Sequence, residues 1–208
     1  MKKAGLPEKT LERLLGYRRV LLQYQYLQYG FIFSHNLARL ARTSAANVRR
    51  DLMLLGAEGD VHKGYAIQSM LRLIDQALDF SQVQNMCFVG MGEPGLALYE
   101  SFLEPGTALA LKAQFFLGRN EHSLSSVPAY NITEMPRVIR EENIRIAVLA
   151  VSREYAREIT TLMVNAGIVG ILNFTPLVLQ VPAHVVVENF DLNTKLQKIG
   201  YYIRRVQR

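Results

Sequence analysis

The stretch Met86-Cys87-Phe88-Val89-Gly90-Met91-Gly92-Glu93-Pro94-Gly95 constrains the chain more than any other. An apolar run leads into three glycines spaced G-x-G-x-x-G, and Leu96-Ala97-Leu98-Tyr99 continues as a helix would. The physical reading is a buried strand, a tight turn, and a helix whose free N–H groups face the turn. Such a turn lets the backbone approach a pyrophosphate, and the helix N-terminus supplies partial positive charge. A glycine-rich turn that binds nothing has the same spacing. The flanking sequence has to separate the two.

Downstream, strands and helices alternate. Residues 109–117 read as a second strand, with further strands near 128–130, 145–151, 169–174 and 185–189. Helices fit between them at 135–142, at 153–165 with Ser152 placed to cap and Gly167 to terminate, and last at 191–204. This spacing gives an open parallel sheet of Rossmann-like topology, an α/β fold. Its ligand crevice lies at the carboxyl ends of the strands, which gathers residues 90–95, Val151-Ser152, 173–176 and 189–191 around one site. A site built for NAD usually ends its second strand with an Asp or Glu that accepts both ribose hydroxyls. Here Phe116, Leu117 and Gly118 fill the place. The Gly118-Arg119 pair suits a 2′-phosphate or stacking on adenine; it equally marks a site that has lost cofactor affinity.

The first eighty residues read differently. A long helix is expected over 10–28, ended near Gly30, followed by a dense aromatic series (Tyr24, Tyr26, Tyr29, Phe31, Phe33) whose plainest role is packing. Ser34 is placed to cap a short helix through Ala41, Arg42-Thr43-Ser44 forms a turn, and 45–55 forms a second helix. Leu37, Leu40, Val48, Leu52 and Leu55 supply a small core between the two. This is a helix-turn-helix pattern. Ser44 and Asn47 are small hydrogen-bonding groups able to approach base edges, and Arg49 and Arg50 suit phosphate or guanine. Three glycines between 56 and 65 and the extended Tyr65-Ala66-Ile67 read as a β-hairpin wing, with His62 and Lys63 able to reach DNA. Residues 68–78 form another helix and 81–85 the joint.

Charge agrees with this division. Residues 1–80 carry 12 Lys/Arg against 7 Asp/Glu, and residues 81–208 carry 12 against 11. A basic small domain joined to a near-neutral larger one suits nucleic-acid binding by the first. No apolar run reaches the roughly 18 residues of a membrane span. The N-terminal MKKAGLPEKTLERLL turns polar too soon for a signal peptide. Cys87, the single cysteine, sits in an apolar strand, which excludes an internal disulfide and fits a reducing cytoplasm. His35, His62, His122 and His184 are scattered; no nucleophile–base arrangement and no metal spacing is present. An enzyme is therefore not expected. An NAD(P)-dependent oxidoreductase would need a proton donor beside the nicotinamide, and the sequence offers none.

The string AGIVGILNFTPLVLQVPAHVVVENFDLNTKLQKIGYYI resembles the C-terminal part of the redox-sensing transcriptional repressors called Rex. The opening LPEKTLERLLGYRRVL, the helix-turn-helix SAANVRRDLMLLG and the glycine turn match the same family in the same order, so the resemblance covers nearly the whole chain. It implies a cytoplasmic homodimer. Residues 1–80 would form a winged-helix DNA-binding domain, and 81–208 a Rossmann-like dinucleotide-binding and dimerisation domain whose last helix is swapped between subunits. It implies binding to double-stranded operator DNA when NADH is scarce and release when NADH binds.

Carried over, the resemblance assigns the pyrophosphate to the turn of Gly90, Met91, Gly92, Glu93, Pro94 and Gly95. Gly118 and Arg119 would lie by the ribose, and Val151, Asn173, Phe174 and Pro176 on the nicotinamide side. Asp191 would pair with Arg19 as part of a switch, unless it only caps the last helix. Ser44, Asn47, Arg49 and Arg50 fall on the DNA-reading helix, and Lys63 and Tyr65 on the wing. Three places depart from the family pattern. Its Asn-Leu in the glycine turn is Glu93-Pro94, its acidic groups after the second strand are Phe116 and Gly118, and its basic wing pair is Asp60-Val61 with Lys63 displaced. These bear on phosphate binding, ribose selection and minor-groove contact. NADP(H) or an adenine nucleotide therefore stands beside NAD(H) as effector, and a Rex-like dimer that has changed or lost its ligand response stands beside the repressor.

Overall fold

The computed structural model describes residues 6–90, 107–118 and 127–206. The chain divides into two units, Met1–Gln82 and Val83–Arg208.

In the first unit α1 (Glu8–Tyr26) is followed by β1 (Phe31–Ile32), α2 (Ser34–Leu40), α3 (Ala45–Leu54), β2 (Tyr65–Ala66) and α4 (Ile67–Ala77). Leu14, Tyr17 and Leu21 of α1 recur at helical spacing and meet Leu37, Val48, Leu52, Met70 and Ile74 in one buried core. The expected stop of α1 at Gly30 comes earlier. Gln28 turns left-handed at φ 63°, its N–H donates to Gln25 O at 2.9 Å, and Tyr29 N–H donates to Tyr24 O at 3.0 Å. The Tyr24 and Tyr29 rings pack over this Schellman closure with centroids 5.0 Å apart.

Two further features depart from the sequence expectation. Ser34 is the first residue of α2, not its cap; Phe33 precedes the helix, and the Ser34 hydroxyl accepts from Arg49 Nη1 at 3.3 Å. The wing is not a self-contained hairpin. Asp60 and Gly64 close one bridge, while Tyr65–Ala66 pairs antiparallel with Phe31–Ile32 upstream of the helix-turn-helix. Gly64 makes that pairing possible. At φ 82°, a Cβ there would lie 2.5 Å from Ile32 O, so only glycine lets the two backbones approach.

In the second unit β3 (Gln84–Val89), β4 (Leu109–Phe116), β5 (Ala129–Asn131), α5 (Met135–Glu141), β6 (Ile146–Leu149), α6 (Arg153–Ala166), β7 (Gly170–Asn173), β8 (Val186–Asn189) and α7 (Leu192–Val206) follow in turn. The strands form one sheet in the order β5-β4-β3-β6-β7-β8, every pair parallel. Strand residues alternate between two faces. Cys87, Val89, Ala147, Leu149 and Ile171 pack with α5 and α6, while Met86, Phe88, Ile146, Val148 and Leu172 face the opposite layer. Both faces are apolar, as a buried parallel sheet requires. Strand order reverses between β3 and β6, and at such a switch point a crevice opens beyond the carboxyl ends.

Candidate nucleotide crevice and nucleic-acid interface

The crevice begins where β3 ends. Gly90 continues the strand, its N–H donating to Phe115 O at 2.8 Å, and then turns left-handed at φ 83°. A Cβ at Gly90 would lie 2.4 Å from Val151 Cγ1 and 2.7 Å from Ala150 O. The backbone thus passes hard against the end of β6, bringing Gly90 and Val151 together at the switch point. Met91, Gly92, Glu93, Pro94 and Gly95, and also Arg119 and His122, lie outside the described residues.

Beyond β4, Gly118 is left-handed at φ 92°, and its carbonyl accepts from Asn131 Nδ2 at 2.9 Å. Ser152 flanks α6 without capping it; its hydroxyl donates to Glu154 Oε1 at 3.1 Å.

At the end of β7, Asn173 is 1% exposed. Its Nδ2 donates to Leu177 O and to Asn189 Oδ1, both at 2.8 Å, and its Oδ1 accepts from Thr175 N–H at 2.9 Å and Thr175 Oγ1 at 2.7 Å. Phe174 is half-buried beside it and pairs with Phe190, centroids 4.8 Å apart, while Pro176 is exposed. Asp191 is exposed and caps α7. Its Oδ1 accepts Thr194 N–H at 2.9 Å and its Oδ2 accepts the Thr194 hydroxyl, which together hold the carboxyl below the usual carboxylate range.

In the first unit, Ser44 caps α3, accepting Asn47 N–H at 3.1 Å. Asn47 Nδ2 donates to Thr43 Oγ1 at 3.2 Å, so the residue sits at the helix start in a local network. Arg49 and Arg50 are exposed on α3, and Lys63 is exposed on the wing. The wing carboxylate of Asp60 accepts His62 N–H at 2.7 Å and Lys63 N–H at 2.8 Å, so it shapes the turn. Tyr65 is half-buried; a Cβ at Gly59 would lie 2.8 Å from its ring, so the ring covers that glycine.

Sequence reasoning missed what holds α3 from behind. Asp51, 2% exposed, accepts Arg13 Nε at 2.6 Å, Arg13 Nη2 at 2.8 Å and the Tyr17 hydroxyl at 2.9 Å. Burial opposes the Asp51 charge, but the hydrogen bonds from Arg13 and Tyr17 outweigh it and hold the carboxyl below its ordinary value. Burial, and then the bond to Asp51, push the Tyr17 phenol up. The available signal was a lone acid between core residues Val48 and Leu52 on a helix otherwise carrying arginines. No group of three or more His, Cys, Asp or Glu among the described residues is placed to hold a metal ion.

A family model described as "Putative DNA-binding protein N-terminus" matches residues 5–52, and one described as "CoA binding domain" matches residues 81–177. The redox-sensing transcriptional repressor Rex of Lactobacillus gasseri is 33% identical over 205 residues, covering 98% of this chain and 96% of that protein. Its counterpart from Carboxydothermus hydrogenoformans is 33% identical over 207 residues, 99% of this chain and all of that one. The chain belongs to the Rex family. Rex proteins are redox-sensing transcriptional repressors, and the chain is a DNA-binding regulator of that kind, not an enzyme. Its architecture is the Rex one, a winged helix-turn-helix followed by a Rossmann-like sheet. The crystal structure of RSP in complex with beta-NAD+ and operator DNA has a TM-score of 0.83 at 26% identity, covering 99% of this chain and 95% of that one. The structure of RSP, a Rex-family repressor, has a TM-score of 0.81 at 24% identity over 99% and 97% of the two chains and shares the fold. No helix among the described residues is long and apolar enough to cross a membrane.

Proposed function

We propose that this Rex-family chain works in the cytoplasm as a homodimer that binds double-stranded operator DNA and releases it when NAD(H) enters the crevice of the second unit. The observation that carries the nucleotide reading is Gly90. A strand at the switch point turns left-handed with no room for a side chain, which is the approach a pyrophosphate-binding turn needs. The described residues at the crevice therefore fit the group. The turn of Gly90, Met91, Gly92, Glu93, Pro94 and Gly95 would hold the pyrophosphate, and Gly118 and Arg119 would lie by the adenosine ribose. Val151, Phe174 and Pro176 would line the nicotinamide side, with Asn173 behind them. The bound dinucleotide supplies the redox signal, and it shifts the regulator only by binding one conformation more tightly than the other.

Exposed Arg49 and Arg50, with Ser44 and Asn47 at the helix start, fit α3 to the major groove, and Lys63 and Tyr65 fit the wing to the backbone. Dimerisation is supported by α7. Leu192, Leu196, Ile199 and Ile203 form a stripe at helical spacing, each more than half exposed in the single chain. Asp191 at the root of α7 would be the group that Arg19 engages in one state of the switch.

A thermal-shift panel of NADH, NAD+, NADPH and ATP tests the effector. A rise in Tm with NADH exceeding that with NAD+ is expected. A shift with ATP or NADPH alone would replace NAD(H) as the effector, and no shift with any of the four would contradict the nucleotide reading.

A further inference from the structure

The buried amide of Asn173 has no capacity left for a ligand. A side-chain amide offers two N–H donors and an oxygen with two lone pairs. Both donors are used, on Leu177 O and Asn189 Oδ1, and both lone pairs are used by Thr175. One side chain therefore fixes the turn at 174–177 and, in the same set of bonds, the last residue of β8. A second link runs parallel to it, where the Phe174 and Phe190 rings meet at 4.8 Å. Phe190 leads into α7; the ammonium of Lys195, in its first turn, sits 5.4 Å above the Phe190 ring, and Asp191 caps the helix. The crevice turn and the root of α7 are thus two ends of one short strut.

We propose that Asn173 is a positioning residue that transmits occupancy of the crevice to α7 through Asn189. This rests on the nucleotide reading above. A ligand seated on the 174–177 turn moves or stiffens the turn, and Asn173 cannot follow without breaking its bond to Asn189 or carrying Asn189 with it. A buried amide left with an unpaired donor is costly, so carrying Asn189 is favoured. The residue acts from behind the site wall and needs no contact with the ligand. The strut biases α7 because its lower end, Asn189 and Phe190, immediately precedes the Asp191 cap.

Amide hydrogen exchange on the full-length protein tests the strut, with wild type, Asn189→Ala and Asn189→Asp each compared with and without NADH at saturation for that variant. In wild type, NADH slows exchange both at 174–177 and in the first turn of α7, residues 192–196. In Asn189→Ala the protection at 174–177 remains and that at 192–196 falls at least about threefold, a loss of coupling between two sites and not of binding. Asn189→Asp keeps an accepting oxygen for Asn173 Nδ2 and restores the protection at 192–196. Equal protection of 192–196 in wild type and Asn189→Ala overturns the inference, as does wild-type protection confined to 174–177. NADH that protects neither segment of wild type contradicts the nucleotide reading itself, and the strut falls with it.

Discussion

Asp51 in the first unit and Asn173 in the second are both buried polar side chains behind a candidate site, and they are of different kinds. Asp51, behind α3, is a charge; Asn173, behind the crevice, is a neutral amide. A carboxylate only accepts, so Asp51 is matched by donors alone, Arg13 and Tyr17, and because both stand on α1 they tie α3 to that helix. An amide donates and accepts, so Asn173 joins three segments at once: the end of β7, the following turn and the end of β8. The charged device is rigid and pH-sensitive. The neutral one suits a place where parts must move together.

The largest effect expected of any substitution is at Asp51. Asp51→Ala leaves Arg13 without its partner in a partly buried place and should cost about 3–5 kcal/mol of stability, read by urea unfolding. The pH dependence has a definite sign. The folded carboxyl titrates below its unfolded value of about 4, so the stabilisation is complete above that value and is lost as pH falls through the folded one. Wild type should therefore lose helicity on acidification earlier in the first unit than in the second. A unit that melts no sooner in acid would remove the contrast drawn between the two devices.

Next in size is Gly90→Val. Left-handed backbone and the missing room beside Val151 and Ala150 should cost about 1–3 kcal/mol and abolish the thermal shift with NADH, while ligand-free DNA binding persists. Retained nucleotide binding would take the switch-point turn out of the site. Arg49→Ala should weaken DNA binding and, if the guanidinium meets phosphate, lower the salt slope by about 1, measured by gel shift over a salt series. Unchanged binding at low salt would sink that assignment. Smallest is Leu117→Asp, placed at the exposed neighbour because Gly118 is left-handed at φ 92° and a side chain there is strained. With no carboxylate among residues 116–118, wild type should bind NADH with a Kd above roughly 1 μM, and the variant should bind several-fold more tightly by calorimetry. Sub-micromolar wild-type affinity would show that the ribose is held by other means.

Much of the fold was legible because its signals are periodic. The alternation of apolar strands and helices from residue 84 onward fixed the parallel sheet, and Leu37, Val48 and Leu52 fixed the helix-turn-helix core. Helix ends were less legible. Glycine marks the closures of α3 and α6 at Gly56 and Gly167, but Gln28, Arg42, Asp79 and Asn143 take the same left-handed conformation after α1, α2, α4 and α5. Asn143 and Asp79 are types that tolerate it, but Gln28 and Arg42 carry no local sign; there the closing hydrogen bonds and the packing behind them supply the energy. The wing shows a similar limit, since the partner of Tyr65–Ala66 lies more than thirty residues upstream.

At the candidate sites, residue type pointed to a candidate surface but not to the side chains that lie behind it. Arg49, Arg50, Gly90 and Val151 stand where spacing puts them. The partners of Asp51 lie 34 and 38 residues away, and Asn189 lies 16 from Asn173, so neither network has a local signature. Asp191 is the intermediate case. Its position before a helix indicates a cap, and it is one; the same position before the bare apolar stripe of α7 makes it a candidate for the switch.

Nucleotide bound in the second unit is expected to govern DNA binding by the first, a coupling between two sites. It is tested most directly by fluorescence anisotropy of the wild-type protein on a duplex it has itself selected from a random pool, titrated at fixed salt with and without saturating NADH. A rise of about tenfold or more in the DNA Kd with NADH, and a smaller rise with NAD+, is the expected result. An unchanged DNA Kd while calorimetry shows the same NADH bound would contradict it.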